Sequence, residues 1–190
     1  MKKIAIFVFL FPVCTWMFLG AAGADAAKAE KKPLPYYPVI AQKIARVMPK
    51  MHLLQFPFDD RISAIAWTNL LTSYDFDRSF FTDADVRKFE SMRFRIDDAI
   101  KAGDVGFGYE VYRVFRNRVE ERYQFVLKML ETKIDFSVQE EYAWDRKNAE
   151  WPADVTAQNE LWRKRIKNEL LAQRLAAELD AAKNTNATAK

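Results

Sequence analysis

One histidine, one cysteine and five glycines in 190 residues leave little of the equipment that most enzymes use. With His52 as the only histidine, a Ser-His-Asp or Cys-His arrangement could draw on no other base. Its setting, "PKMHLLQFP", is helix-end sequence without a nucleophile signature, so His52 reads as a structural residue at a helix C-terminus. No His, Cys, Asp or Glu pair has zinc-binding spacing. The sequence therefore assigns no catalytic residue, no cofactor and no metal ligand. Beyond residue 24 the glycines number three, all within "GDVGFG" at 103–108. Hairpins and tight sheet turns need more, so the expected fold is all-α, an irregular domain of about five helices without a sheet.

The cysteine, Cys14, lies in the apolar run from Ile4 to Leu19, which follows Lys2-Lys3 and precedes two A-x-A sites at Ala22–Ala24 and Ala24–Ala26. That layout predicts a cleaved secretory signal peptide over 1–24. The run is short for a membrane span of about 20 residues. Phe11-Pro12-Val13 is too bulky for a lipidation site at Cys14. Cleavage would remove the only thiol, so an exported mature chain would be held together by packing, without disulfides. It would also remove Lys2 and Lys3, leaving 28 basic against 26 acidic residues, an excess of two. Such a balance, with export, argues against nucleic-acid binding. No permanent membrane span is expected after cleavage.

The remaining stretch suffices for one domain. Residues 25–37 read as a flexible leader, 38–182 as the helical domain and 183–190 as a disordered tail. Apolar spacing predicts a first helix over 38–51, with Val39, Ile40, Ile44, Val47 and Met48 inward. A second, over 60–73, turns Ile62, Ile65, Ala66 and Leu70 inward, with Trp67 as a further candidate. A third spans 83–102 through Val86, Phe89, Met92, Ile96 and Ile100, ending at Gly103. The fourth, over 105–132, repeats Val111, Tyr112, Phe115, Val119, Tyr123, Val126 and Leu130. After a less regular stretch, a final helix over 155–182 carries Trp162, Ile166, Leu170, Leu171, Leu175 and Leu179.

The stretch "YDFDRSFFTDADVRKFE", 74–90, places four aspartates among aromatic rings. As a calcium loop beginning at Asp75 it would have Phe80 where glycine must turn the chain and Val86 where glutamate must close the cage. As a helix start it fits better. Thr82 is placed as N-cap and Asp85 at the third helical position, an Asp form of the capping box. Phe81 and Val86 stand at the hydrophobic-staple positions, and Asp75 and Asp77 serve the preceding turn. "GDVGFG" has helical sequence on both sides, which favours a helix–helix turn over a phosphate or peptide-carboxylate loop. "RVFRNRVEERYQF" mixes cations with aromatics, but Arg116–Glu120 and Arg118–Glu121 are at helical pairing distance, as on a solvated face.

Three stretches together resemble the N-terminal domain of the tail-specific proteases, also called carboxy-terminal processing peptidases. In the first, Asp75, Arg78, Phe80, Phe81, Asp85, Val86 and Phe89 match the family pattern, whereas Tyr74 and Phe76 depart from the usual Leu and Pro. In the second, Phe115, Arg118, Val119, Arg122, Leu130, Asp135, Phe136, Glu140 and Tyr142 fall in register. The third contains Asp145-Arg146, Trp151-Pro152 and Leu161 to Lys167, including Trp162. The resemblance implies a periplasmic serine endopeptidase that recognises apolar C-termini through a PDZ domain and cuts with a Ser-Lys dyad. It also implies protein partners: the PDZ and protease portion, a lipoprotein-type adaptor, or substrate proteins. The matched residues belong to the helical region. The serines at 63, 73, 79, 91 and 137 lack a glycine-rich oxyanion setting, so the chain is expected to be non-catalytic alone. Two readings stay open, a scaffold and docking domain of such a protease, truncated before its catalytic part, or a free-standing exported binding module.

Overall fold

Pro38 stands in the first turn of helix α1 (Tyr37–Met51), where its missing N–H leaves no helical bond unmade. The computed structural model describes residues 31–188, and their side chains as far as Lys183. The expected signal peptide and the first part of the leader, 25–30, lie outside the described residues. The helices belong to a unit that begins at Pro33. After α1 come α2 (Asp60–Tyr74), α3 (Asp83–Phe89), a short 3₁₀ turn (Glu90–Met92), α4 (Ile96–Ala102), α5 (Gly106–Leu130) and α6 (Val155–Thr188). Among the described residues there are six α-helices and no strand. The fold is all-α, with one helix more than the sequence suggested. The last helix continues past Ala182, where the apolar pattern stops, to Thr188.

The extra helix arises because two side chains of α2 divide the run 83–102. Trp67 Nε1 donates to the Phe89 carbonyl at 2.9 Å. The Arg93 N–H turns instead to the Glu90 carbonyl, and the α-helical ladder ends there. Four residues on, Ser63 Oγ accepts the Asp97 N–H at 2.8 Å and donates to the Asp97 carboxylate at 2.5 Å. A serine from another helix thus satisfies one of the orphan donors at the start of α4. Gly103 ends α4 at φ +83°. A Cβ there would stand 3.2 Å from the Pro38 carbonyl oxygen and 3.1 Å from Gln42 Nε2, so glycine also lets α1 approach.

Trp67, Leu71, Phe81, Val86, Phe89 and Val111 form the core, with Leu70, Tyr74, Phe107, Phe115 and Trp151 packed against it. Three expected faces differ. On α2 the buried residues are Ser63, Trp67 and Leu71, while Ile65 is exposed. On α1 only Ala41 is buried, and Val39, Ile40, Ile44, Val47 and Met48 are exposed. On α5 the stripe is buried at Val111, but Val119, Tyr123 and Leu130 face solvent. In its distal half Val126 is half-buried as the stripe requires, and Arg122 and Phe125 pack beside it. Periodicity shows that a helix has an apolar side without showing what lies opposite it.

Candidate functional site

The turn after α2 is organised by one buried carboxylate. Asp75 ends the helix and is 2 % exposed. One of its oxygens accepts the amides of Ser79 at 2.7 Å and Phe80 at 3.1 Å, and the other accepts Phe80 at 3.1 Å and Phe81 at 2.9 Å. Trp151 Nε1 adds a fifth bond at 3.1 Å. The chain makes this close wrap by putting Arg78 at φ +49°, a conformation that side chains rarely adopt. Charge-assisted bonds of this kind offset both that strain and the cost of burying the carboxylate.

The outer side of the same turn is clasped by the irregular segment after α5 and by α6. Arg78 donates to the Ala149 carbonyl at 2.6 Å and lies over the Trp151 ring at 4.5 Å. Arg146 donates back to the carbonyls of Arg78 and Glu150. From α6, Trp162 Nε1 donates to the Ser79 carbonyl at 2.9 Å, and Gln158 Nε2 reaches the carbonyls of Ser79 and Phe80. The Phe80 ring sits between Phe115 and Trp162, while the fully buried Phe81 packs edge-on against Phe89. The Asp83 N–H bonds to the Pro152 carbonyl at 2.9 Å.

One residue further, Thr82 and Asp85 form a reciprocal capping box at the start of α3. Asp85 has a second role, because Arg118 of α5 grips it with two bonds of 2.8 and 3.0 Å and also reaches Glu121 at 2.7 Å. Burial would raise the Asp85 carboxyl, but the bonds from Arg118 and Thr82 outweigh it and hold it below the usual range. The Arg118 guanidinium is raised, chiefly by Asp85. Arg122, one turn along, is buried and donates to Asn159 of α6; burial lowers it.

Of the residues singled out by sequence, Asp75, Arg78, Phe80, Phe81, Arg146, Trp151 and Trp162 meet at this turn. Phe89 backs it, and Thr82, Asp85 and Arg118 join it to α5. Lys167 lies elsewhere, where its ammonium holds the Val138 carbonyl at 2.8 Å and Glu140 at 2.7 Å. Asp145 is not brought in; its carboxylate bonds the nearby Lys147 amide. Sequence reading missed Gln158, which is fully buried, although its place one turn before Trp162 puts it on the same face. His52 caps the end of α1, with Nδ1 accepting the Leu54 amide.

This arrangement is mechanical. Its carboxylates are committed to amides and arginines, and the Ser79 side chain is buried beside Arg165 rather than beside a base. Among the described residues no three His, Cys, Asp or Glu side chains are grouped so as to hold a metal ion. None of the described helices is long and apolar enough to cross a membrane.

Residues 44–190 match the family described as the tail specific protease N-terminal domain. The chain belongs to that family. It is also similar to the tail-specific protease of Haemophilus influenzae, with 26 % identity over 125 residues. That match covers 65 % of this chain and 18 % of the relative, so the chain spans only a fraction of that protease's length. The clasp around Asp75 lies wholly inside the matched range, and in this tail-specific protease N-terminal domain it ties three separate sequence segments into one body.

Proposed function

We propose that this domain is the non-catalytic scaffold and docking element of a periplasmic, carboxy-terminal processing serine protease. One observation carries the docking role. Leu171, Leu175 and Leu179 recur every four residues on α6, and each is more than half exposed. A row of this kind is an unfilled half of a helix-packing interface. Upstream, the same helix is fixed by Gln158, Trp162 and Lys167, so the row is held on a supported base. The kinship with tail-specific proteases supports the PDZ and protease portion as the element that covers it. A lipoprotein-type adaptor or a substrate protein would use the same apolar chemistry.

The non-catalytic half of the reading rests on the described serines. Ser63 is bonded to Asp97, Ser79 is buried, and Ser73, Ser91 and Ser137 bond to nearby main-chain or carboxylate oxygens. None is paired with a lysine. The test is a peptidase assay of the purified chain on a peptide with an apolar C-terminus. No cleavage is expected. Cleavage abolished by one serine-to-alanine replacement would overturn the reading.

A further inference from the structure

We infer that α1 is the open half of a short coiled-coil seam and takes an acidic amphipathic helix from another protein. Tyr37, Ile40, Ile44, Val47 and Met51 follow one another at alternating steps of three and four residues, the a/d pattern of a heptad seam. The other side of the helix faces the domain, where Ala41 is buried and Gln42 bonds to the Ala102 carbonyl. The seam is therefore uncovered: Ile40, Ile44 and Val47 are 44–50 % exposed and Met51 is 78 % exposed. Beside it runs a trough of about 480 Å³ whose far walls include Phe58, Ile62, Ile96 and Ile100. A helix laid on the seam would meet these side chains as well as α1, which gives it more to pack on than so short a helix pair would alone.

Charge identifies the kind of helix that fits. In the same register Lys43 and Lys50 are both g residues, the positions that select a coiled-coil partner by charge. Both are exposed, neither has an ion pair among the described residues, and the helix holds no acidic residue. Elsewhere exposed cations are commonly paired, as Arg87 is with Asp83 and Arg93 with Glu90. A partner helix with glutamates along the facing edge would pair both lysines. A second copy of α1 does not qualify. Set antiparallel, it would bring the g lysines of the two copies face to face. Set parallel, it would need the e residues, and Ala41 is packed against its own domain. The leucine row of α6 in a second copy is flanked by Arg174 and Lys183 as well as Glu178, so it offers no acidic edge.

This inference does not depend on the docking role given to α6. The probe is a fluorescent peptide of three heptads with Leu at a and d and Glu at e and g, charges that keep it from pairing with itself. A second peptide has Lys at e and g. Each is titrated with the purified chain and followed by fluorescence anisotropy, and the folding of each variant is confirmed by circular dichroism. The apolar run at 4–19 is common to all the proteins compared, so it cancels in the comparison. The Glu peptide is expected to bind roughly tenfold more tightly than the Lys peptide, from about twofold for each pair gained and each like-charge contact avoided. That preference should shrink as salt is added. Lys43→Glu combined with Lys50→Glu should reverse it, and Ile44→Asp should remove binding of both peptides. No binding of the Glu peptide, equal binding of the two, or a preference that the charge reversal leaves in place would each overturn the inference. So would self-association of the chain that Ile44→Asp abolishes, because a second copy would then cover the seam.

Discussion

The indole N–H of Trp67 reaches from α2 to the carbonyl of Phe89, the last residue of α3, at 2.9 Å. That bond takes an acceptor a continuing helix would use four residues later. Trp67→Phe keeps most of the ring but leaves a buried carbonyl unpaired. The expected loss is about 1–3 kcal/mol in denaturant unfolding, with faster amide exchange at 93–97. Unchanged stability and exchange would show that the break at 90–95 has another cause.

The same pair shows where sequence reading stops. Thr82 followed by Asp85, and glycines between two helical runs, are local signals, and local chemistry accounts for the geometry seen there. The division of 83–102 depends on Trp67 and Ser63, which are distant in sequence, and no glycine or proline marks it. The outward stripe of α1 was unreadable for a different reason: periodicity is identical whether an apolar face is covered or open. Likewise Arg118 was legible as the partner of Glu121, while its stronger hold on Asp85 depends on how α5 lies against α3. Family motifs named most members of the Asp75 clasp without indicating that they touch.

Asp75 and Asp77 are two residues apart and should respond very unequally to the same change. Asp75→Asn replaces one accepting oxygen by an NH₂, so amides that the carboxylate satisfies would face another donor, and should cost about 3 kcal/mol or more. Asp77 is half-exposed and, among the described residues, pairs with Arg165 at 3.5 Å, so Asp77→Asn should cost under about 0.5 kcal/mol. Thermal melts of the two variants check this. Similar losses would contradict the central place given to Asp75.

Arg163 and Lys167 hold the Glu140 carboxyl down at about 2, and Asp85 is also lowered. Across the window from about pH 4.3, the ordinary glutamate value, down to about 2, the unfolded chain binds protons that the folded chain refuses. Stability from Glu140 is thus fully present above that window and is lost as pH falls through it. Melting temperature should drop between pH 4.3 and 2 in the wild type, and less steeply in Glu140→Gln. Parallel curves for the two proteins would mean that the Glu140 cluster contributes nothing to acid sensitivity.

Docking through the leucine row of α6 is the central claim, and a mass measurement in solution addresses it most directly. The purified domain is mixed with the PDZ and protease part of a tail-specific protease from the same organism and followed by sedimentation velocity. A one-to-one complex is expected, lost in Leu175→Asp, a substitution at an exposed position that should leave the melting temperature of the domain unchanged. Two species that sediment independently, or a complex indifferent to Leu175→Asp, would contradict the account.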